Sequence, residues 1–213
     1  MVPPFLAYYA VATSDLDLLK ESALQCQYYH DVLIQPSSTW MHIIGPEVQD
    51  YALWSTGNGW AAAGMSRVLA TLKKSPLASK TKKEQSSLVS MIQQILDGTI
   101  ALDTDNSGLL RNYLNDTTWW GEISGTSILA ATALRAAKLE PKVFGKKYTN
   151  WAVEKMHQVD KRIDASEGEN KGIVSPAINP LNWHDKTPYT SGSPEGQSFV
   201  VLLHAAYRDW KGK

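Results

Sequence analysis

Cysteine is almost missing from this chain. The one thiol, Cys26, excludes an internal disulfide and a multi-cysteine metal site. It falls inside an amphipathic helical pattern and reads as a small buried hydrophobe. Net charge is missing as well: 21 Lys and Arg balance 21 Asp and Glu, so no overall field draws in nucleic acid or an anionic membrane. No apolar run reaches the ~18 residues of a membrane span. The opening Met1-Val2-Pro3-Pro4-Phe5 lacks the basic region and cleavage site of a signal peptide, so no export signal is read in the chain. No Gly-rich phosphate loop follows a strand and no metal-ligand spacing occurs, so neither cofactor nor metal is expected. Ser55 and Ser124 have no nucleophile context. The densest basic run, Lys73, Lys74, Lys80, Lys82 and Lys83, is broken by Ser and Pro and reads as a solvated loop. The sequon Asn115-Asp116-Thr117 matters only if the chain enters a secretory pathway.

Phenylalanine is scarce, three against eight tryptophans and nine tyrosines. Amphipathic aromatics of that kind serve wet clefts, carbohydrate sites among them, and ordinary cores too. With 213 residues, 43% of them hydrophobic, the chain is expected to be a single domain with a sizeable core.

The pattern is all-α, with helices joined by loops and no strand series. Two kinds of helix alternate. Those opening near Pro4, Gly59, Ser124 and Gly196 start with small residues and are apolar nearly all round, which means packing on all faces. Those near residues 16–34, 84–100 and 147–163 carry charge on one side and form an outer layer. An inner–outer hairpin is thus repeated, and alternating direction puts every inner N-terminus on one rim. The expected architecture is an incomplete α/α toroid of about seven helices, four inner and three outer. That is slightly more than half of a closed ring of six hairpins. Because the first residues already sit at an inner helix, the chain is expected to be the C-terminal part of a longer protein.

The rim loops hold the chemistry. Trp54-Ser55-Thr56-Gly57-Asn58-Gly59-Trp60 sets two indoles, an amide and two glycines at the mouth of a helix. Indoles offer a flat apolar face and an N–H donor, which suits a sugar ring. A helix N-terminus favours an anion, so the motif fits an acidic sugar. The same residues also fit a packed turn, with Asn58 as a helix N-cap. Trp119-Trp120-Gly121-Glu122 opens the next inner helix, where Glu122 either orients Ser124 and Thr126 or pairs with the helix end. Pro194-Glu195-Gly196-Gln197 presents a carboxylate at the last rim position. The long segment from Ile173 to Pro194 contains Asn182-Trp183-His184-Asp185, in which adjacent His184 and Asp185 rarely point together.

These stretches resemble glycoside hydrolase family 105 and the related family 88, in a fungal form. Residues Met1 to Ala7 look like the family's Phe-Met-small-Pro helix start. Trp54 to Trp60 looks like its Trp-Gly-Arg-Gly-Asn-Gly-Trp. Gly108-Leu109-Leu110-Arg111 through Glu122-Ile123-Ser124-Gly125-Thr126 looks like a further family segment. Gly192 to Gln197 looks like the closing helix start. The resemblance implies a six-hairpin barrel that hydrolyses unsaturated uronyl oligosaccharides of the pectin type, with an extracellular setting. It implies an aspartate that protonates the ring double bond and activates water. That aspartate aligns upstream of Met1, so no catalytic residue is assigned here. The motif's arginine is Thr56, which removes a planar cation suited to a carboxylate. Expected substrate contacts are His42, Trp54, Asn58, Trp60, Trp119, Trp120, Glu122 and Glu195, with an oligosaccharide as the ligand. Two alternatives stand beside this reading: a catalytically inactive glycan-binding remnant, and a helical-toroid domain that binds a protein.

Overall fold

The structure, a computed structural model, describes residues 1–179, 181–182 and 184–212; Trp183 lies outside the described residues. Seven α-helices carry it: α1 Val2–Thr13, α2 Leu16–Leu33, α3 Ser55–Lys74, α4 Lys82–Ala101, α5 Ile123–Leu139, α6 Lys146–Asp160 and α7 Pro194–Lys211. A two-residue antiparallel ladder, β1 Leu110–Arg111 on β2 Gly121–Glu122, braces the turn before α5.

The inner row is α1, α3, α5 and α7, each packed on the next, with α2, α4 and α6 behind it. This is the toroid arrangement that the alternating polarity of the helices predicts. Helix α5 is its centre: fourteen of its 17 residues are buried, because α3, α6 and α7 all pack on it. Side chains there are small, which lets the backbones close up. A Cβ at Gly59 of α3 would lie 2.2 Å from Ile128 Cγ2 of α5, so only glycine permits that approach. Helix starts are fixed locally. Asp15 accepts the Leu18 N–H at 2.9 Å, and Ser193 accepts the Gly196 N–H at 3.1 Å.

Some expectations change. Helix α3 begins at Ser55 with Trp54 in the cap position, so Asn58 is not its N-cap. The lysine run is not a solvated loop. Lys73 and Lys74 finish α3, Lys80 ends a short 3₁₀ turn, and Lys82 and Lys83 open α4. Lys73 Nζ reaches back to the Leu139 carbonyl at 2.7 Å and to Glu140, tying the ends of α3 and α5 together. Flanking Ser and Pro had signalled only the break between helices. The loop ahead of β1 is pinned by a buried ion pair, Lys155 Nζ to Asp103 Oδ2 at 2.5 Å, with Lys155 also donating to the Gly108 carbonyl at 2.8 Å.

Cys26 is 5% exposed, and burial pushes its thiol up to about 12. The expected result is that a thiol reagent at neutral pH leaves native protein unlabelled and modifies it only on unfolding. Rapid labelling of the native state would contradict this burial. No helix among the described residues is long and apolar enough to cross a membrane.

Candidate functional site

The rim is assembled from the loop between α2 and α3 and the N-termini of α3, α5 and α7. The loop doubles back on itself through the bridges Ile34 to Trp40 and Ile43 to Asp50. Asn58 clamps it to α3. Its Oδ1 accepts the Trp40 N–H at 2.7 Å, while its Nδ2 donates to the carbonyls of Trp40 at 2.9 Å and Trp54 at 3.0 Å. An amide is the side chain for this, since it offers the donor and acceptor that a neighbouring strand would. Asn58 is only 1% exposed, and its place is under the rim rather than on it.

His42 comes next along the loop. Its Nδ1 lies 2.9 Å from Asp50 Oδ2, and its ring tilts against Trp54 at 4.4 Å. Asp50 Oδ2 also accepts the Tyr113 hydroxyl at 2.5 Å, and its Oδ1 accepts the Ala52 N–H at 3.0 Å. Burial pushes the Asp50 carboxyl up, but the hydrogen bonds from Tyr113, His42 and Ala52 outweigh it and hold the group below its usual range. An ionised Asp50 therefore fixes the imidazole. Trp54 Nε1 donates to Asn112 Oδ1 at 2.8 Å, and the Asn112 carbonyl takes the Ser55 N–H at 2.8 Å.

Trp60 is 37% exposed and stands between the α3 and α7 ends. Its Nε1 donates to Glu195 Oε1 at 3.0 Å, and its ring meets Phe199 edge-on at 5.2 Å. Burial raises the Glu195 carboxyl above its usual range despite that hydrogen bond. A cleft of about 390 Å³ opens beside Trp60, walled by Pro4, Tyr29, Trp40, His42 and Gly57. It brings His42 and Trp60 together, with Trp54 behind the imidazole and Glu195 behind the indole.

The remaining expected contacts sit elsewhere. Trp119 is buried against Tyr113 at 5.6 Å, with Lys186 Nζ 5.2 Å over its ring, and Trp120 Nε1 donates to the Lys186 carbonyl at 2.9 Å. Both indoles anchor the Pro-rich segment across Tyr113. Asp185 turns back to accept the Thr187 N–H at 2.8 Å. Glu122 is fully buried and caps α5, its two oxygens taking the N–H groups of Ser124 at 2.6 Å and Gly125 at 2.5 Å. Burial lifts it to about 7, against the pull of those N–H groups and with help from the Glu195 charge. The helix-end role of Glu122 is the one its geometry supports. Thr56 is 1% exposed, so the position aligned with the family arginine lies beneath the surface. Among the described residues no cluster of three or more His, Cys, Asp or Glu could hold a metal.

Asp50, Asn112 and Tyr113 were not expected here. Asp50 stands four residues before Trp54 in the same loop and could have been noticed as a carboxylate partner for His42. Asn112 and Tyr113 come from the far side of α4, joined by the bridge between Trp54 and Tyr113, and no local signal marks them.

The sequence profile of Glycosyl Hydrolase Family 88 matches residues 1–209. This chain belongs to that family. Solved structures agree with the family 88 fold. A possible member of family 105 from Salmonella enterica serovar Paratyphi A superposes with a TM-score of 0.77 at 19% identity, covering 97% of this chain and 53% of that one. The unsaturated glucuronyl hydrolase of Bacillus sp. GL1, responsible for glycosaminoglycan degradation, gives 0.73 at 15%, covering 99% and 57%. A family 88 protein from Bacteroides vulgatus gives 0.74 at 15%, covering 97% and 60%. At these identities the likeness establishes the six-hairpin glycosidase fold. This family 88 chain spans little more than half the length of those relatives. No curated protein matches it.

Proposed function

We propose that the rim of this family 88 chain binds the uronyl end of an acidic, pectin-type oligosaccharide, as part of a hydrolase for unsaturated uronides. The observation that carries this reading is the cleft in which His42, held by Asp50, and the half-exposed indole of Trp60 face one space. Trp60 supplies a flat apolar surface for a sugar ring. His42 supplies a polar contact whose orientation Asp50 fixes. Glu195 accepts the indole N–H of Trp60 and holds the ring in place. No residue of the chain is assigned the proton transfer itself.

The test is loss of the conjugated absorbance of a disaccharide made by a pectin or glycosaminoglycan lyase. It is run on this chain and on one carrying the additional length its relatives have. Hydrolysis by the longer form alone is expected. Trp60→Ala should weaken disaccharide binding about tenfold or more while the helical circular dichroism is kept. Unchanged binding in that variant would remove the rim from consideration. Buried Thr56, where the family motif has an arginine, favours a second reading in which the rim binds glycan without hydrolysis; silence of both forms with binding retained selects it.

A further inference from the structure

At the end away from the rim, the C-terminal parts of the inner helices enclose a groove of about 550 Å³. Helix α3 contributes Ser66, Arg67 and Lys74 to its wall, α5 contributes Arg135 and Lys138, and α1 contributes Tyr8. A second depression of about 350 Å³ shares Tyr8, Arg67 and Lys74, and carries the groove on toward Ser75. Four cations thus line one elongated hollow. The acid facing them is Asp209, 4.0 Å from Arg135 Nη1, and its closer partner is Arg208 at 2.9 Å. Among the described residues, Arg67, Lys74 and Lys138 form no ion pair.

Lys74 and Lys138 stand in the last turns of their helices, where the macrodipole alone accounts for a cation. That account does not reach Arg67 and Arg135, which lie farther from the helix ends. Ser66 adds an independent sign. It is 3% exposed on the groove wall, and its Oγ has no hydrogen-bond partner among the described residues. Four buried hydroxyls are left so among the described residues, and Ser66 is the one on the wall of this groove.

We propose that this groove binds a segment of anionic polysaccharide, at a site separate from the rim. Arg67 and Lys74 are two helical turns apart, about 10 Å along α3. A polymer with repeated carboxylates or sulfates can present an oxyanion to each. Guanidinium groups match such oxyanions in a two-pronged geometry. The floor of Ala63, Ala70 and Ala131 leaves room for sugar rings, and half-exposed Tyr8 offers them a flat face. Single-stranded nucleic acid would want successive aromatic platforms, and the groove carries one ring.

The experiment is fluorescence anisotropy of the protein with a labelled oligogalacturonide whose ends are saturated, titrated over a range of salt. Trp60→Ala removes the rim's share of binding and the arginine pair removes the groove's share, so the two sites fail or succeed separately. Binding that weakens with rising salt is expected. Arg67→Ala with Arg135→Ala should weaken it about tenfold, and should do so to the same extent in a Trp60→Ala background. Both arginines are exposed, and the Gln pair at the same positions repeats the test with more of the side-chain volume kept. Circular dichroism checks the fold of every variant. Absent or salt-insensitive binding overturns the proposal, as does an arginine pair without effect in the Trp60→Ala background. Tighter binding of a single-stranded DNA of equal charge also overturns it, and assigns the groove to nucleic acid.

Discussion

Glu122→Gln is expected to destabilise the protein by about 2–3 kcal/mol near the acid end of its stable range, a drop of roughly 5–10 °C in the thermal midpoint. The reason is geometric. Each carboxyl oxygen takes a different backbone N–H, Oε2 from Ser124 and Oε1 from Gly125, at the first turn of the most buried helix. A glutamine must turn its NH₂ toward one of them, setting donor against donor where no water reaches. The pH dependence has a definite sign. Burial lifts Glu122 from the ordinary glutamate value of 4.5 to about 7, so between those values the folded state holds a proton that the unfolded chain has released. Stability from this group is complete below 4.5 and declines as pH rises toward 7. The Gln variant has no such group, so its deficit is widest at the acid end of that window and narrows toward neutrality. Thermal midpoints of both proteins across the window check this, and a deficit that widens with pH would contradict it.

Gly98→Ala should cost about 3 kcal/mol. The added Cβ would lie 2.2 Å from the Ser37 carbonyl oxygen and 2.9 Å from Thr39 Cγ2. A backbone carbonyl cannot swing aside as a flexible side-chain tip can, and Thr39 is itself fully buried. Helix α4 therefore has to part from the loop that leads to Trp40 and His42, and binding at the cleft should weaken along with stability. Gly145→Ala is the paired control. Nothing lies within 4 Å of its Cβ position and its φ is −79°, so the midpoint should stay within about 0.5 kcal/mol of the parent. Equal midpoints for the two variants would show that the loop is not held by close packing.

The two-layer pattern was legible because it lies in local composition. Small and apolar residues recur without a polar face in α5, while charge on one side marks α2, α4 and α6. Helix starts were placed within a few residues, the miss at α3 arising because Trp54 caps without a side-chain oxygen. The cleft was legible only in part. Trp60 and His42 face a common space, but nothing in residue type separates them from Asn58 and Glu122, whose polar atoms are taken up by backbone groups. That distinction depends on what each side chain meets after folding. Tyr113 and the cationic groove share one obstacle: each joins residues far apart in the chain, and the cations lie on two different helices.

Helix α5 has a consequence for how the protein is made. Emerging from the ribosome, it finds α3 already synthesised, and α6 follows soon after. Its face toward α7 has no cover until the final described helix appears, after the long Pro-rich segment. During synthesis at roughly 5–20 residues per second, that face, with Ile123 beside the later Gly196, stays bare for several seconds. The nascent protein is then most exposed to sticking, and to chaperones that hold apolar surface, just before its last helix docks.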